Sequence, residues 1–307
     1  MSQSHYFDNK RSFMEPQFIG GDHNIMTSVM KPNKTKYLNI DTRFTDEYGY
    51  DSSFNEPKSY TLTLPERINS VKSIKVISVE IPVSFYNISK SLGNNYLKIL
   101  NTSTSTFDMV IISDGMYTSS TLSIEINNKI GLLSRLSGVN YEILNNKSVL
   151  KNTSNKNLVV YFDSDNSGNF DKYNFRSKMG WMMGFRDVSY NLTSITSESI
   201  INVNTMRYIF LVVDEYNNNL QNSFLAPMYG YIMNKKILAR ISVDNQEYPF
   251  GSVLHGTLNN GILLSDNRCY NGAIDLQRLN IQLVNEFGFP VNLNGLDFSF
   301  LLEIVYE

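Results

Sequence analysis

The sequence predicts an all-β protein, a β-sandwich or jelly roll with one short helix. Short runs of alternating apolar and polar residues recur from Lys36 to the last residues of the chain. Turn-forming Asn, Asp and Gly separate these runs, and no repeat of fixed period suggests a propeller or a solenoid. With 307 residues, 42% of them hydrophobic, the chain can form one large β domain or two smaller ones.

The clearest strand signals lie in 60–65 and 71–82, where prolines close two alternating runs. The second run changes phase: Ile74 and Val76 lie on one face, and the apolar positions from Ile77 onward lie on the opposite face. We expect a strand, a turn and a second strand. Either a β-bulge or a strand covered on both faces explains the change of phase.

Other strands are predicted by the same pattern or by short apolar runs, at 37–41, 96–100, 109–112, 158–162, 208–213, 237–243, 278–283 and 298–306. One amphipathic helix is predicted where Leu122, Ile126 and Ile130 recur at helical spacing. The residues 118–120 can cap its first turn, and Gly131 can close it in a left-handed conformation. We expect this helix to cover an end or an edge of a sheet.

Three segments follow from the pattern of order and composition. Residues 1–35 show no periodicity and are expected to form an extended N-terminal arm. Residues 36–307 are expected to form the jelly-roll domain. The part from about 130 to 205 is longer than one connection needs, so it is either an insertion or outer subdomain, or part of the main sheets.

The composition excludes several classes of protein. A formal net charge of −2 gives no electrostatic footprint for nucleic acid or anionic membrane. The single cysteine, Cys269, excludes an intrachain disulfide and a cysteine-based zinc cage, which favours synthesis in a reducing compartment. We expect no secretory signal, no bilayer-spanning run of about 20 apolar residues and no cofactor.

One segment resembles a calcium-binding loop. Asp163, Asp165, Ser167 and Asp171 occupy the first, third, fifth and ninth positions of such a loop, and a glycine stands at the sixth. The twelfth position is Asn174, where a bidentate Glu is expected, and the segment follows a strand instead of a helix. An acidic hairpin loop is the favoured interpretation, with weak calcium binding as the alternative.

The sequence shows no catalytic motif. His5, His23 and His255 have no Cys, His or Asp at ligand spacing, and we expect structural or solvated roles for them. Cys269 is expected to be a packed thiol. A nucleophile elbow, a P-loop and a dinucleotide fingerprint are all absent from the sequence, so we expect no enzyme.

Two apolar segments are candidates for contact with another subunit. The residues 181–185 contain Trp, Met and Phe between glycines and form either an exposed patch or part of the core. The residues 224–231 place aromatic side chains, Pro227 and Met228 in an apparent loop.

The chain also resembles a family. The residues 36–44 and the motif SYTLTLPERINSVKSIKVISVEIPVSFYNI at 59–88 resemble the opening of minor capsid proteins of large nucleocytoplasmic DNA viruses. The residues 115–118 and 183–186 fit the same pattern. The segment 274–307, IDLQRLNIQLVNEFGFPVNLNGLDFSFLLEIVYE, completes it.

The resemblance implies a non-enzymatic jelly-roll protein of the virion, synthesised in the host cytoplasm. We expect the penton, which closes the icosahedral vertices as a homopentamer and meets the major capsid protein and other minor capsid proteins. The first alternative is an internal minor capsid protein that ties capsomers together. The second is a jelly-roll module that binds glycans or calcium through its end loops.

Overall fold

The computed structural model describes residues 32–46, 59–165, 167–204, 206–218, 224–228, 231–233 and 236–307. The residues 33–307 form one compact unit. Most of the predicted N-terminal arm, 1–31, lies outside the described residues. Lys34 and Thr35, which were assigned to that arm, already belong to the first strand.

The described residues form mainly strands. In chain order these are β1 Lys34–Asp41, β2 Tyr60–Pro82, β3 Tyr96–Asn101, β4 Thr106–Ile111, β5 Val139–Leu144, β6 Lys147–Asn152, β7 Leu158–Tyr161, β8 Ser189–Asn191, β9 Ser194–Ile200, β10 Tyr208–Asp214, β11 Pro227–Met228, β12 Tyr231–Ile232, β13 Ile237–Ser242, β14 Val253–Thr257, β15 Leu263–Ser265, β16 Arg268–Asn285 and β17 Ser299–Tyr306. The helices are α1 Ser119–Gly131 and α2 Met179–Met182.

The main module is one antiparallel sheet in the order β1-β17-β2-β16-β10-β13-β15, with β14 also paired to β2. Its inward side chains form one hydrophobic core, drawn from all parts of the sheet. The sheet curls until its β15 end lies close to β2 again. The prediction of an all-β jelly-roll fold is therefore confirmed.

A β-bulge at Ile77 explains the change of phase in the sequence of β2. Leu301 of β17 is paired with Ser78, and the next residue, Leu302, is paired with Val76, so Ile77 has no partner in this ladder. The extra residue shifts the alternation of inward and outward side chains by one position. Residues before and after the bulge, Val76 and Val79 among them, consequently enter the same core.

The predicted turn between 65 and 71 is wrong. The 23 residues of β2 form one strand. The polar residues in its middle lie where its pairing with β16 is irregular. The register shifts three times between Cys269 and Arg278 of β16. Ser70 has a φ of +56° at this irregular stretch. The sheet thus bends here without ending the strand.

The side chain of Ser265 links β15, at one end of the curled sheet, to the inner strand β2. On the same edge of β2, β16 pairs up to Ile74 and β14 pairs from Ser78 onward. Between them, the Val76 N–H donates to the buried Ser265 hydroxyl at 3.1 Å. That hydroxyl donates in turn to the Leu238 carbonyl of β13 at 3.2 Å. The Val76 N–H, which lies between the β16 and β14 pairings, is thus satisfied by a side chain at the β15 end of the sheet.

A buried ion pair fixes the start of β16. Arg268 is 1% exposed and donates to the carboxylate of the buried Glu215 at 2.9 Å. It also donates to the carbonyls of Val213, at the end of β10, and Lys236, just before β13. The hydroxyl of Tyr270 is buried near this pair, and burial, followed by the charge of Glu215, raises the pKa of Tyr270. One guanidinium therefore connects three strands of the main sheet.

The residues between Ile88 and Val203 contribute a second hydrophobic core. Around it lie a four-stranded sheet, β4-β3-β7-β8, and a three-stranded sheet, β5-β6-β9. We call this part the second module. The region 130–205, predicted as an insertion or as part of the main sheets, lies largely within it, and its boundaries as an insertion stay a prediction.

The predicted helix α1 is confirmed, and it packs on β5 and β4 of the second module. Thr118 caps it, and the Thr118 backbone N–H donates to the Thr121 side chain in a reciprocal capping box. The expectation for Gly131 is wrong: the helix ends at Leu132 in right-handed helical conformation, and Gly131 does not have a positive φ.

The predicted strands at 37–41, 96–100, 109–112, 158–162, 208–213, 237–243, 278–283 and 298–306 are confirmed, with ends that differ by a few residues. Sequence analysis missed β5, β6, β8, β9, β11, β12, β14 and β15. Residues 194–199 of β9 are mostly polar, and in β15 Leu264 is exposed while Ser265 is buried, so local alternation gives no clear signal there.

Replacing Glu215 by Ala should destabilise the protein strongly. The change leaves the Arg268 guanidinium buried without a counter-charge, which costs about 3–5 kcal/mol in comparable sites. Denaturant unfolding followed by circular dichroism measures the difference. Lys129→Ala is the matched control: it removes the half-buried Glu125–Lys129 pair on the surface of α1 and should cost about 0.5 kcal/mol or less. Equal losses in the two variants would contradict a structural role for the buried pair.

Candidate interaction surfaces

Strand β4 is an open edge of the four-stranded sheet. It pairs with β3 on one side, and no strand of the described residues pairs with its other side. The Ile112 N–H donates to the Asn95 carbonyl at 2.7 Å, which makes these two residues a hydrogen-bonded pair. Because such pairs alternate along an antiparallel ladder, the N–H and C=O groups of Phe107, Met109 and Ile111 face the open edge.

The side chains of Phe107, Met109 and Ile111 form what we call the β4 face. Val110, with Ile112 just beyond the strand, points into the second core, which turns the alternate residues outward. Phe107 is 44% exposed and Ile111 is 55% exposed. The edge strand thus presents three apolar side chains together with unsatisfied backbone groups.

The inward position between these side chains holds an acid. Asp108 is buried and its carboxylate accepts a hydrogen bond from Arg135 at 2.6 Å. An aromatic residue outward and a carboxylate inward reverse the usual arrangement of a half-buried strand. Alternation of apolar and polar residues does not reveal this reversal. The sequence therefore predicted a strand at 109–112 but not the β4 face.

Another open edge of the second module differs from β4. Strand β9 pairs with β6 on one side, and on its other side the Ser199 N–H donates to the Gly184 carbonyl at 3.0 Å. Its exposed residues are the polar Ser194, Thr196 and Glu198 and, at its end, Ile200. Polar and charged residues protect an edge strand from pairing with other chains. In the described part of the second module, β9 therefore shows the protection that β4 lacks.

A second apolar surface lies on the main module. The segment 224–233 contains the hairpin β11–β12, and Phe224 and Met233 pack on the outer face of β10 and β13. Leu225 is 74% exposed and Ile232 is 55% exposed above this layer. The segment 224–231, predicted as a loop, thus contains strands of a hairpin, and its contact with another subunit stays a prediction. Leu225 within it and Ile232 just beyond it are exposed, and we call these two residues the hairpin surface.

The other predicted patch, 181–185, lies in the core. Met182, Met183 and Phe185 are buried in the second module, so the interpretation as an exposed patch is wrong for them. Trp181 is half-buried, with the guanidinium of Arg186 4.0 Å from its ring centroid. Gly184 lies so close to β9 that a Cβ on it would clash with the backbone of Ser199.

The residues 163–171 form a hairpin loop that lies on the outer face of β3. Ser164 and Phe170 make an antiparallel bridge. Asp165 accepts hydrogen bonds from the N–H groups of Ser167 and Asn169, so its carboxylate holds the turn together. Gly168 has a φ of +83°, and a Cβ on it would stand 3.1 Å from the Phe107 ring.

Two lysines lie against the acids of this loop. The Lys98 ammonium donates to the Gly168 carbonyl at 2.5 Å, and the Lys178 ammonium pairs with Asp171 at 3.0 Å. Burial lowers the pKa of Lys178, but its bonds to Tyr96 and Asp171 outweigh this effect and raise the pKa overall. Burial raises the pKa of Asp163. The charges of both ammonium groups lower this pKa, but burial is the larger effect.

Within the described residues, no group of three His, Cys, Asp or Glu side chains could hold a metal ion. Asp163 is buried with one carboxylate oxygen lacking a hydrogen bond, Asp165 serves the turn, and Asp171 is paired with a lysine. Calcium binding by Asp163, Asp165, Ser167 and Asp171 stays the alternative prediction. The geometry favours a hairpin loop whose acids are neutralised by the neighbouring lysines.

The remaining candidates for chemistry lie apart. His5 and His23 are outside the described residues, and His255 is exposed with its Nδ1 3.7 Å from Glu80. Cys269 is exposed on β16, so the expectation of a packed thiol is wrong. Sequence alternation could not show this, because Cys269 lies where the pairing of β16 becomes irregular.

A shallow cleft lies where the two modules meet. Two side-chain amides that line the cleft form hydrogen bonds within the chain. Asn87 donates to the carbonyls of Tyr117 and Val203 and accepts from the Tyr117 N–H. The carbonyl of the Asn285 side chain accepts from two N–H groups of the following turn. Asn87 therefore ties Tyr117 to Val203, and Asn285 holds the turn that follows it.

None of the helices among the described residues is long and apolar enough to cross a bilayer.

Comparison with known proteins gives similarity in structure. No protein-family model and no curated protein matches the chain. It is similar to the crystal structure of selenomethionine-labelled mavirus penton protein, with a TM-score of 0.44 and 11% identity over 90% of this chain and 100% of that chain. It is also similar to a chain in the cryo-EM structure of the Sputnik virophage, with a TM-score of 0.42 and 14% identity over 90% of this chain and 98% of that chain. Similarity at this level assigns neither a partner nor an activity.

Calcium should leave the thermal unfolding midpoint unchanged relative to EDTA, because Lys98 and Lys178 already neutralise the acids of the loop. Differential scanning calorimetry in calcium chloride and in EDTA measures the two midpoints. Lys98→Met serves as the comparison, since it removes one of the two cations. A saturable rise of the wild-type midpoint with calcium would contradict this account and support the calcium-binding alternative.

Proposed function

We propose that this chain is a structural virion protein, the penton that closes icosahedral capsid vertices as a homopentamer. It acts without a cofactor and has no catalytic role. Its partners are four further copies of itself, the surrounding major capsid protein and other minor capsid proteins. It is made in the host cytoplasm and is located in the capsid.

The first support is the sequence. The segments 36–44, 59–88 and 274–307, which resemble minor capsid proteins of large DNA viruses, all include strands of the main module. They supply β1, β2, β17 and most of β16, which are neighbours in one sheet. The resemblance therefore covers a contiguous part of the fold.

The observation that carries the proposal is the presence of two unlike apolar surfaces. The β4 face belongs to the second module, and the hairpin surface, Leu225 and Ile232, belongs to the main module. A ring of five requires a heterologous interface, in which one surface meets a different surface of the next copy. Exposed apolar surfaces on separate parts of one chain provide the material for such contacts and for contacts with neighbouring capsid proteins.

The charges of the chain support contacts of this kind. With 27 basic and 29 acidic residues, the chain has little net charge to repel further copies. The two surfaces carry apolar side chains and, on β4, backbone hydrogen-bonding groups. Assembly should therefore depend on burial and hydrogen bonds, which salt screens weakly.

Light scattering across a range of concentrations tests the oligomer. We expect a species of about five times 35.1 kDa that persists in half-molar salt. Ile111→Lys should shift it towards the monomer, because burying Ile111 contributes about 1.5–3 kcal/mol per interface and a lysine must be desolvated in its place. Thr196→Lys, on the polar edge of β9, is the matched control and should leave the mass unchanged.

A monomer at every concentration would contradict the homopentamer and favour an internal minor capsid protein. Dissolution in moderate salt would show that ion pairs dominate the contacts. An equal effect of the lysines on β4 and β9 would show that the β4 face has no special part in assembly.

A further inference from the structure

We propose that the open edge of β4 binds residues 24–30 of a neighbouring copy as an added strand. The inference rests on the proposed function, since it names a contact by which copies of the chain join. It makes the N-terminal segment of each copy a specific ligand of the next copy.

The edge of β4 has the properties of a strand-binding site. The N–H and C=O groups of Phe107, Met109 and Ile111 face outward from the sheet, as the alternation of the β3–β4 ladder requires. An added strand satisfies such groups through main-chain hydrogen bonds, and side-chain contacts on alternate positions give specificity. On β4 those alternate positions are the apolar residues of the β4 face.

Contacts on both faces support this edge. Lys98 lies opposite Met109 on β3, with its ammonium 4.8 Å from the Phe107 ring centroid. The same ammonium donates to the Gly168 carbonyl, and Asp108 is tied to Arg135 on the inner side. Contacts on both faces hold β4 in a defined register, so a partner strand meets a preformed edge.

The chain contains a segment of matching chemistry. The residues 24–30 read NIMTSVM and carry no charge. β-Branched side chains stand at the alternate positions Ile25, Thr27 and Val29, and such residues favour extended strands. Pairs of aromatic and β-branched side chains across two strands are favourable, and Phe107 supplies the aromatic member. The segment is about as long as β4.

Covalent geometry limits which copy can supply this strand. Met30 precedes Lys34, the first residue of β1, by four positions, which span at most about 14 Å when fully extended. The start of β1 in one copy must therefore lie within that distance of the β4 edge of the copy that binds its segment. This contact joins two different surfaces, as a closed ring requires.

Cross-linking between two differently labelled populations tests the contact. Both carry Cys269→Ser, because Cys269 is exposed. One population carries Thr27→Cys and the other carries Met109→Cys. They are mixed as full chains, allowed to exchange subunits and treated with a short bismaleimide. We expect cross-linked dimers from the mixture and none above background from either population alone.

Two controls locate the contact. Thr196→Cys on β9 replaces Met109→Cys in the first control and should give no dimer above background. Val29→Pro, added to the Thr27→Cys chain, removes a strand N–H and should abolish the cross-link. A mixture that gives no dimer, or as much dimer with Thr196→Cys as with Met109→Cys, would overturn the inference.

The mass of the wild-type chain separates this inference from the proposed function. A pentamer by light scattering without the cross-link would leave the homopentamer standing and refute the strand contact. A cross-link between chains whose assembly has another mass would support the strand contact and refute the pentamer. A monomer without a cross-link would refute both.

Discussion

The main module depends on how the backbone groups of β2 are satisfied. This strand of 23 residues pairs with β17 on one edge. On its other edge it pairs first with β16 and then with β14. The bulge at Ile77 lets the apolar side chains of both halves of β2 face one core. The Ser265 hydroxyl accepts the hydrogen bond of the N–H that lies between the β16 and β14 pairings. Since that hydroxyl also donates to the Leu238 carbonyl, the hydrogen bonding of β2 links it to the β13–β15 end of the sheet.

A closed main module leaves the second module to supply different surfaces. Its core is complete without the outward residues of β4, since residues of α1 and β3 pack with the inward Val110 and with Ile112. The β4 face therefore adds little to the folding of a single copy, while its exposure to water costs free energy. Contact with another chain removes that cost. The same reasoning applies to Leu225 and Ile232, which lie above an already packed layer.

Sequence patterns could predict the strands whose apolar residues alternate, such as β1, β13 and β17, and the bulge in β2. They could also predict α1, because its capping residues and its apolar spacing are local. They could not predict that 65–71 continues a strand, since irregular pairing with β16 decides this. Pairing between distant residues likewise decides the burial of Arg268 with Glu215 and the open edge of β4. The segment 181–185 shows the same limit: its composition fits a surface and a core equally well, and packing places it in the core.

Symmetry is the most direct test of the central claim, that copies of this chain join through unlike surfaces into a closed ring of five. Electron microscopy of the purified protein, with class averages calculated without imposed symmetry, measures it. The account predicts rings with five-fold symmetry. Two-fold particles would contradict it, because they would show that one surface meets itself across an isologous interface.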